Sequence, residues 1–120
     1  MLDPAQSANF LGDVERALVF ARKLEIPQVI LIAGNTLKDT PPERQFATLV
    51  ENTKRAGDLA AKANLTLIVE PLNNKVDHKG FFLASCVDGL RLIREADNPH
   101  VKLLFDIYHE QVQSGNVIRT

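Results

Sequence analysis

Leu65-Thr66-Leu67-Ile68-Val69-Glu70-Pro71 is the stretch that decides the fold of this 120-residue chain. Apolar and β-branched residues run together here and then stop at a carboxylate that is followed by proline. A short run of this kind, bounded by a turn signal, predicts a strand buried on both faces, as in a parallel sheet. A charged group at the edge of an apolar layer is costly unless it has a partner, so Glu70 is a candidate functional residue.

Similar runs lie on either side of this stretch, at residues 28–33 and 101–105, and a helical pattern precedes each predicted strand. The second helix begins near Pro41 and Pro42, whereas Ser85 and Asp88 resemble a capping box at the start of the third. The residues predicted to face the core are Phe10, Val14, Ala17, Ala21 and Leu24 in the first helix, Phe46, Leu49, Val50, Thr53, Ala56, Ala60 and Ala63 in the second, and Val87, Leu90 and Ile93 in the third.

The order of elements is therefore α-β-α-β-α-β, and the residues after Asp106 are expected to begin a fourth helix. Strands that alternate with helices indicate an α/β fold with a parallel sheet and right-handed crossovers. Three or four such units make about half of a (β/α)8 barrel, which typically needs about 250 residues. A small doubly wound sheet has the same period, so the period leaves both architectures open.

Composition excludes several classes of protein. The formal net charge of -1 argues against a nucleic-acid-binding protein, which would normally carry a basic face. The longest apolar runs are strand-sized and predict no membrane span. The single cysteine, Cys86, is predicted to pack in a helix rather than to form a disulfide. Because the first residues do not resemble a secretion signal, we expect a cytoplasmic protein.

Two carboxylates, Glu70 and Asp106, each follow an apolar run directly. The carboxyl ends of parallel strands form the active-site face of such folds, and neighbouring strands lie about 4.8 Å apart. Two carboxylates that close repel each other unless a cation or a shared proton lies between them. A site of oxygen ligands favours magnesium or manganese. The alternative is that each acid caps the following helix or pairs with Lys or Arg.

His109 lies three residues after Asp106, and a helix that begins there would direct both side chains toward one pocket. Its imidazole could donate a hydrogen bond to a substrate oxygen, or it could simply cap the first helical turn. The polar segment 71–81, which contains His78, is either a functional loop or a solvated connection. Four further side chains are left open between surface and pocket: Tyr108, Gln111, Asn116 and Arg119.

Four stretches, in this order and spacing, closely resemble hydroxypyruvate isomerase, and the related 2-oxo-tetronate isomerases share much of the pattern. Both groups belong to the xylose isomerase-like barrel superfamily, and the resemblance extends from about Val14 onward. The stretches are Ile68-Val69-Glu70-Pro71-Leu72-Asn73, Asp77-His78-Lys79-Gly80-Phe81-Phe82-Leu83, Phe105-Asp106-Ile107-Tyr108-His109-Glu110-Gln111 and Gly115-Asn116-Val117-Ile118-Arg119-Thr120.

The resemblance implies a partial (β/α)8 TIM barrel, about strands four to six, as a single domain over residues 1–120. It implies that Glu70 is a metal ligand and the catalytic proton-transfer residue, that Asp106 is a metal ligand, and that His109 binds substrate. The implied substrate is a small hydroxy-oxo acid, with hydroxypyruvate and tartronate semialdehyde (2-hydroxy-3-oxopropanoate) interconverted. A carboxylate removes a proton beside the carbonyl, and a divalent metal, magnesium or manganese, stabilises the enediolate.

The resemblance also implies further ligands on the seventh and eighth strands, which these 120 residues do not include. We therefore expect low or no turnover from the 120 residues alone. The alternatives are a catalytically incompetent fragment, or a non-enzymatic remnant that forms a homo-oligomer to cover its sheet edges and apolar interior. A 2-oxo-tetronate isomerase is the alternative substrate assignment. A nucleic-acid enzyme related to endonuclease IV is disfavoured by the charge and by the three histidines.

Overall fold

A computed structural model describes residues 1–118, so Arg119 and Thr120 of the fourth matching stretch lie outside the described residues. A short 3-10 helix, Pro4–Gln6, comes first. Within residues 1–118, no helix has both the length and the hydropathy needed to cross a bilayer. The elements then alternate as predicted: α1 (Ser7–Lys23), β1 (Gln28–Leu31), α2 (Pro42–Ala63), β2 (Thr66–Val69), α3 (Cys86–Ala96), β3 (Val101–Leu103) and α4 (Ile107–Ser114).

The three strands form one parallel sheet in the order β1-β2-β3, which confirms the predicted α/β class. Val69, the last residue of β2, pairs with Leu31 on one side and with Leu103 on the other. The backbone N–H of Glu70 donates to Leu31 O at 3.1 Å, and the N–H of Leu104 donates to Val69 O at 2.8 Å. Glu70 therefore leaves the sheet from its central strand.

β3 is shorter than the predicted run 101–105, because it ends at Leu103. After the hydrogen bond from Leu104, the chain turns toward α4, whose N-cap is Asp106. Phe105 lies in this turn and is 45% exposed. In the register of the sheet, Asp106 consequently stands two residues further along than Glu70, so the two acids are not at equivalent positions.

The helix ends follow the sequence signals. Pro42 occupies the first turn of α2, and the helix ends at Asn64 in a left-handed conformation with φ 56°. Ser85 caps α3 by accepting the N–H of Asp88, and its hydroxyl donates back to the Asp88 carboxylate. Asp97, also left-handed, ends that helix. Local side-chain chemistry therefore sets where each βα unit turns.

The sheet buries only one of its faces among the described residues. Leu67 and Val69 are fully buried, whereas Ile30 and Ile32 are 54% and 52% exposed. The prediction of strands buried on both faces is wrong in this respect, because the other face carries exposed Lys102 in the same row as Ile30 and Ile68. Helices cover the buried face, and the other face is the one that lines the interior of a closed barrel.

The core-facing side of α2 is as predicted, with Phe46, Leu49 and Ala56 buried. The prediction for α3 is right for Ile93, which packs against the core, and wrong for Val87 and Leu90, which are 63% and 44% exposed. The residues that α3 buries are smaller on average: Cys86, Gly89, Leu92 and Ala96.

The small residue at the centre of this α3 face explains the difference. A Cβ on Gly89 would lie 2.5 Å from Cδ1 of Leu103 and 3.1 Å from Cγ of Pro71. Because the backbone of α3 approaches the sheet closely at Gly89, the helix packs through the face that contains this glycine. The spacing of large apolar residues in the sequence indicates a different face. In α1 the prediction for Leu24 is also wrong: it is the C-cap, beyond the last helical turn, and 67% exposed.

A second close approach joins α2 to the segment before β3. Gly57 faces the side chain of Asn98, whose Nδ2 donates to Lys54 O at 3.1 Å and to Asp58 Oδ1 at 2.9 Å. The Oδ1 of Asn98 accepts the backbone N–H of His100 at 3.0 Å. The Asn98 amide is thus tied on both sides and cannot move without losing hydrogen bonds.

We predict that Gly57→Ala lowers the free energy of unfolding by about 1–3 kcal/mol, because the new Cβ displaces Asn98 from its hydrogen bonds. That Cβ would lie 2.4 Å from Cγ of Asn98. Gly12→Ala in α1 is the matched control: its nearest neighbour is Arg16 Nη1 at 3.6 Å, and alanine there should add about 0.5–1 kcal/mol. Urea denaturation of both variants measures the effect, and a stabilised Gly57→Ala would contradict the packing argument.

Candidate functional site

Glu70, Asp106 and His109 come together at the carboxyl end of the sheet. Each offers one atom, a carboxylate oxygen or an imidazole nitrogen, and these atoms all lie within 4.8 Å of one another. All three side chains are half-buried. Glu70 arrives from β2, and the other two arrive from the turn after β3 and the first turn of α4. The structure therefore brings the three residues singled out in the sequence into one cluster.

Asp106 also caps α4, as the alternative interpretation of its sequence position proposed. Its Oδ1 accepts the backbone N–H of Tyr108 at 2.8 Å and that of His109 at 3.2 Å. A carboxylate has two oxygens with about four lone-pair sites, so two capping hydrogen bonds do not exhaust it. The capping interaction instead fixes the orientation of the carboxylate at the helix start.

Among residues 1–118, neither acid forms the other alternative, an ion pair with Lys or Arg. The salt bridges among residues 1–118 join Arg16 to Asp13 and Arg91 to Glu43 and Glu95. Two carboxylates that share a half-buried cluster repel each other unless a cation lies between them. The two carboxylates offer the oxygen donors that a divalent cation prefers, and the imidazole lies beside them.

His109 does not cap α4, since that position belongs to Asp106. Its Nδ1 instead lies 2.8 Å from Nδ2 of Asn73 and 3.4 Å from the backbone nitrogen of the same residue. Asn73 follows Glu70 by three residues and is fully buried. The imidazole is therefore held against the loop after β2, beside the two acids.

The segment 71–81 is more than a solvated connection, because Leu72, Asn73 and Phe81 are buried within it. It is tied to α4 by two further hydrogen bonds. The backbone N–H of Asn74 donates to Gln113 Oε1 at 3.1 Å, and the Tyr108 hydroxyl donates to Asp77 Oδ2 at 2.7 Å.

These contacts also resolve several of the positions left open in the sequence. Tyr108 is exposed yet engaged with the loop, while Gln111 and Asn116 are exposed. The ring of His78 lies 5.4 Å from that of His109, centroid to centroid. Arg119 lies outside the described residues.

Asp77 is an acceptor for two donors at once. Its Oδ2 lies 2.7 Å from Asn73 Nδ2 and 2.7 Å from the Tyr108 hydroxyl. Hydrogen bonds from Asn73 and Tyr108 hold the pKa of Asp77 below its ordinary value. The hydrogen bond between Tyr108 and Asp77 also raises the pKa of Tyr108. Asp77 is therefore a carboxylate and Tyr108 a neutral phenol at neutral pH.

Glu110 is a structural residue that the sequence patterns did not reveal. It is 1% exposed, and its carboxylate accepts the backbone N–H of Cys86 at 2.8 Å and the hydroxyl of Ser114. Acids on short helices are usually solvated, so no pattern pointed to it. Burial, together with the neighbouring Glu110, raises the pKa of Cys86 to about 12. Cys86 is thus a buried packing thiol, as predicted.

Comparison with known proteins places this arrangement in a wider group. The family model described as "Xylose isomerase-like TIM barrel" matches residues 2–120. The chain is 33% identical over 114 residues to a 2-oxo-tetronate isomerase from Cupriavidus necator, covering 95% of this chain and 44% of that protein. It is 32% identical over 117 residues to the hydroxypyruvate isomerase of Escherichia coli K12, covering 98% of this chain and 45% of the relative.

A solved structure agrees with the sequence comparison. The crystal structure of an AP endonuclease, family 2, from Brucella melitensis superposes with a TM-score of 0.89 at 26% identity, covering 98% of this chain and 45% of that one. The chain thus spans less than half the length of the relatives it matches. The family model covers residues 2–120, and the parallel sheet is exposed on one face, as expected of part of a barrel. The chain belongs to the xylose isomerase-like TIM barrel family.

Proposed function

We propose that this chain forms part of a single-domain isomerase of the aldose–ketose type, acting on a small hydroxy-oxo acid. The observation that carries the proposal is the convergence of Glu70, Asp106 and His109 within 4.8 Å at the carboxyl end of the sheet. In barrels of this kind, that face is where the active site is built. The two sequence relatives are named for isomerases of small oxo-acids, which supports the reaction class.

Glu70 and Asp106 are the residues we assign to a divalent cation, with magnesium or manganese favoured by their oxygen donors. When bound, such a cation would polarise the carbonyl and hydroxyl oxygens of the substrate and so acidify the hydroxymethyl carbon beside the carbonyl. Asp106 enters this role with its orientation already set by the cap of α4.

For the substrate we propose hydroxypyruvate, with a four-carbon 2-oxo acid as the alternative. Glu70 takes a proton from the hydroxymethyl carbon, and the electron pair moves into an enediolate. A proton is then delivered to the former carbonyl carbon, while the hydroxyl proton passes from one oxygen to the other. The product, tartronate semialdehyde, has the same atoms as the substrate. His109 hydrogen-bonds to a substrate oxygen during this shift.

We predict that Asp106→Asn weakens manganese binding about tenfold or more, because the cluster loses one of its two anionic donors. Asparagine is as good an N-cap as aspartate, so α4 is retained. Asp97→Asn is the matched control: it removes the same charge at the other end of the sheet, where asparagine tolerates the left-handed conformation. Isothermal titration of the metal-free protein with manganese measures both, and equal losses would contradict the assignment.

We predict that Glu70→Gln lowers kcat for hydroxypyruvate by about 10²–10⁴, because it removes the group that carries the proton. The control is Glu51→Gln, an exposed glutamate on α2, which should leave kcat unchanged. A coupled assay with hydroxypyruvate, a four-carbon 2-oxo acid and manganese compares the substrates in the protein that contains this chain. Turnover that survives Glu70→Gln would exclude Glu70 as the base.

The same preparation tests the second class of function. The Brucella structure is titled an AP endonuclease, so cleavage of a duplex with one abasic site is assayed in parallel. The formal net charge of -1 offers little attraction for a phosphate backbone. Cleavage of the duplex that is lost in Glu70→Gln, without isomerase turnover, would replace the proposed function.

A further inference from the structure

The side-chain amide of Asn73 has a fixed orientation. Its Oδ1 accepts the backbone N–H of Val76 at 3.2 Å and that of Asp77 at 3.1 Å. Backbone N–H groups can only donate, so the oxygen of the amide must be on this side. Nδ2 therefore faces the other way, where it lies 2.7 Å from Asp77 Oδ2 and 2.8 Å from His109 Nδ1.

Two donors of Asn73 consequently meet the same nitrogen of His109. One is the side-chain N–H at 2.8 Å and the other is the backbone N–H at 3.4 Å. Neither can accept a hydrogen bond. Nδ1 of the imidazole must then be the acceptor, and in a neutral ring the single proton resides on Nε2.

We propose that Asn73 is a positioning residue that holds His109 in the Nε2–H tautomer, so that the ring presents a hydrogen-bond donor to a substrate oxygen. The substrate role rests on the proposed function, whereas the tautomer is a property of the metal-free chain. A nitrogen that binds a cation must offer a lone pair. Nδ1 uses its lone pair toward Asn73, and Nε2 carries the proton. The two acids are therefore left to hold the cation, although His109 lies beside them.

The surrounding hydrogen bonds make this a closed network. Asp77 Oδ2 accepts from Asn73 Nδ2 and from the hydroxyl of Tyr108, the residue directly before His109. The loop and the first turn of α4 thus hold the Asn73 amide and the imidazole from both sides. A donor in a fixed position suits an oxygen that gains negative charge during the reaction.

The chain contains its own references for the test, because its three histidines have different surroundings. His100 Nδ1 lies 2.9 Å from Leu65 O, and a carbonyl oxygen can only accept, so this ring must carry its proton on Nδ1. His78 is exposed and should show the mixture of tautomers found in water. His109 should show Nε2–H.

The experiment is a long-range ¹H–¹⁵N correlation spectrum of ¹⁵N-histidine-labelled protein without metal or substrate, at a pH about two units above the ordinary imidazole pKa. We expect the Nε2–H form of His109 to exceed the other form about tenfold or more, from hydrogen bonds of ordinary strength. His100 should show the opposite pattern in the same spectrum. A water-like mixture or an Nδ1–H form at His109 would overturn the proposal.

The double variant Asn73→Asp with Asp77→Asn reverses the donor and acceptor at His109 while keeping the charge and the shapes. Aspartate at 73 can still accept the two backbone N–H groups, and the NH2 group of asparagine at 77 donates to that aspartate and to the hydroxyl oxygen of Tyr108. We expect the His109 tautomer to switch to Nδ1–H and His100 to stay unchanged.

Asn74→Ala is the matched control for this variant, since it removes a loop hydrogen bond to Phe81 O without touching His109. If His109 keeps its tautomer in the double variant while the His100 pattern is intact, Asn73 does not set it. If the double variant does not fold, the spectrum of the unsubstituted protein decides alone. The spectra are recorded without metal or substrate, so they give the same result whether or not the protein is an isomerase. Failure of the isomerase proposal is therefore distinguishable from failure of the tautomer proposal.

Discussion

The parallel pairing of β2 between β1 and β3 is the constraint on which the rest of the structure depends. Val69 is fully buried and is paired on both sides, so the residue after it must leave the sheet at a fixed place. Glu70 occupies that place, and it is held by a backbone hydrogen bond to β1. The carboxylate is thereby delivered to the edge of the sheet without any side-chain interaction of its own being needed to put it there.

The alternation of elements could be predicted because it depends on local patterns. Apolar runs that end at turn residues, a proline pair before α2 and Ser85 before α3 are all readable within a few residues. The face of α3 could not be predicted in this way. It depends on the close approach of Gly89 to Pro71 and Leu103, which are distant in sequence and become neighbours only in the folded sheet.

The candidate site divides along the same line. The position of Glu70 followed from the end of a strand, and that of His109 beside Asp106 followed from helical spacing, because both are local rules. The cap that Asp106 forms was one of two open alternatives, and it proved compatible with membership of the cluster. The contact between Asn73 and His109 joins the loop after β2 to α4. The hydrogen bond from Cys86 to the buried Glu110 joins the start of α3 to α4. No periodicity within one element encodes such contacts.

The register has a consequence for the order in which the molecule is made. Val29 pairs with Leu67, and Leu67 pairs with Val101. Each strand therefore gains its next partner only after the long connection between them has closed. The chain loses conformational entropy when the connection closes, before strand pairing provides any compensating free energy. Such contacts are therefore slow to form. The three side chains of the cluster meet only when the connection between β2 and β3 has closed and α4 has begun. In a growing polypeptide, the chemistry of this segment is therefore among the last of its features to exist.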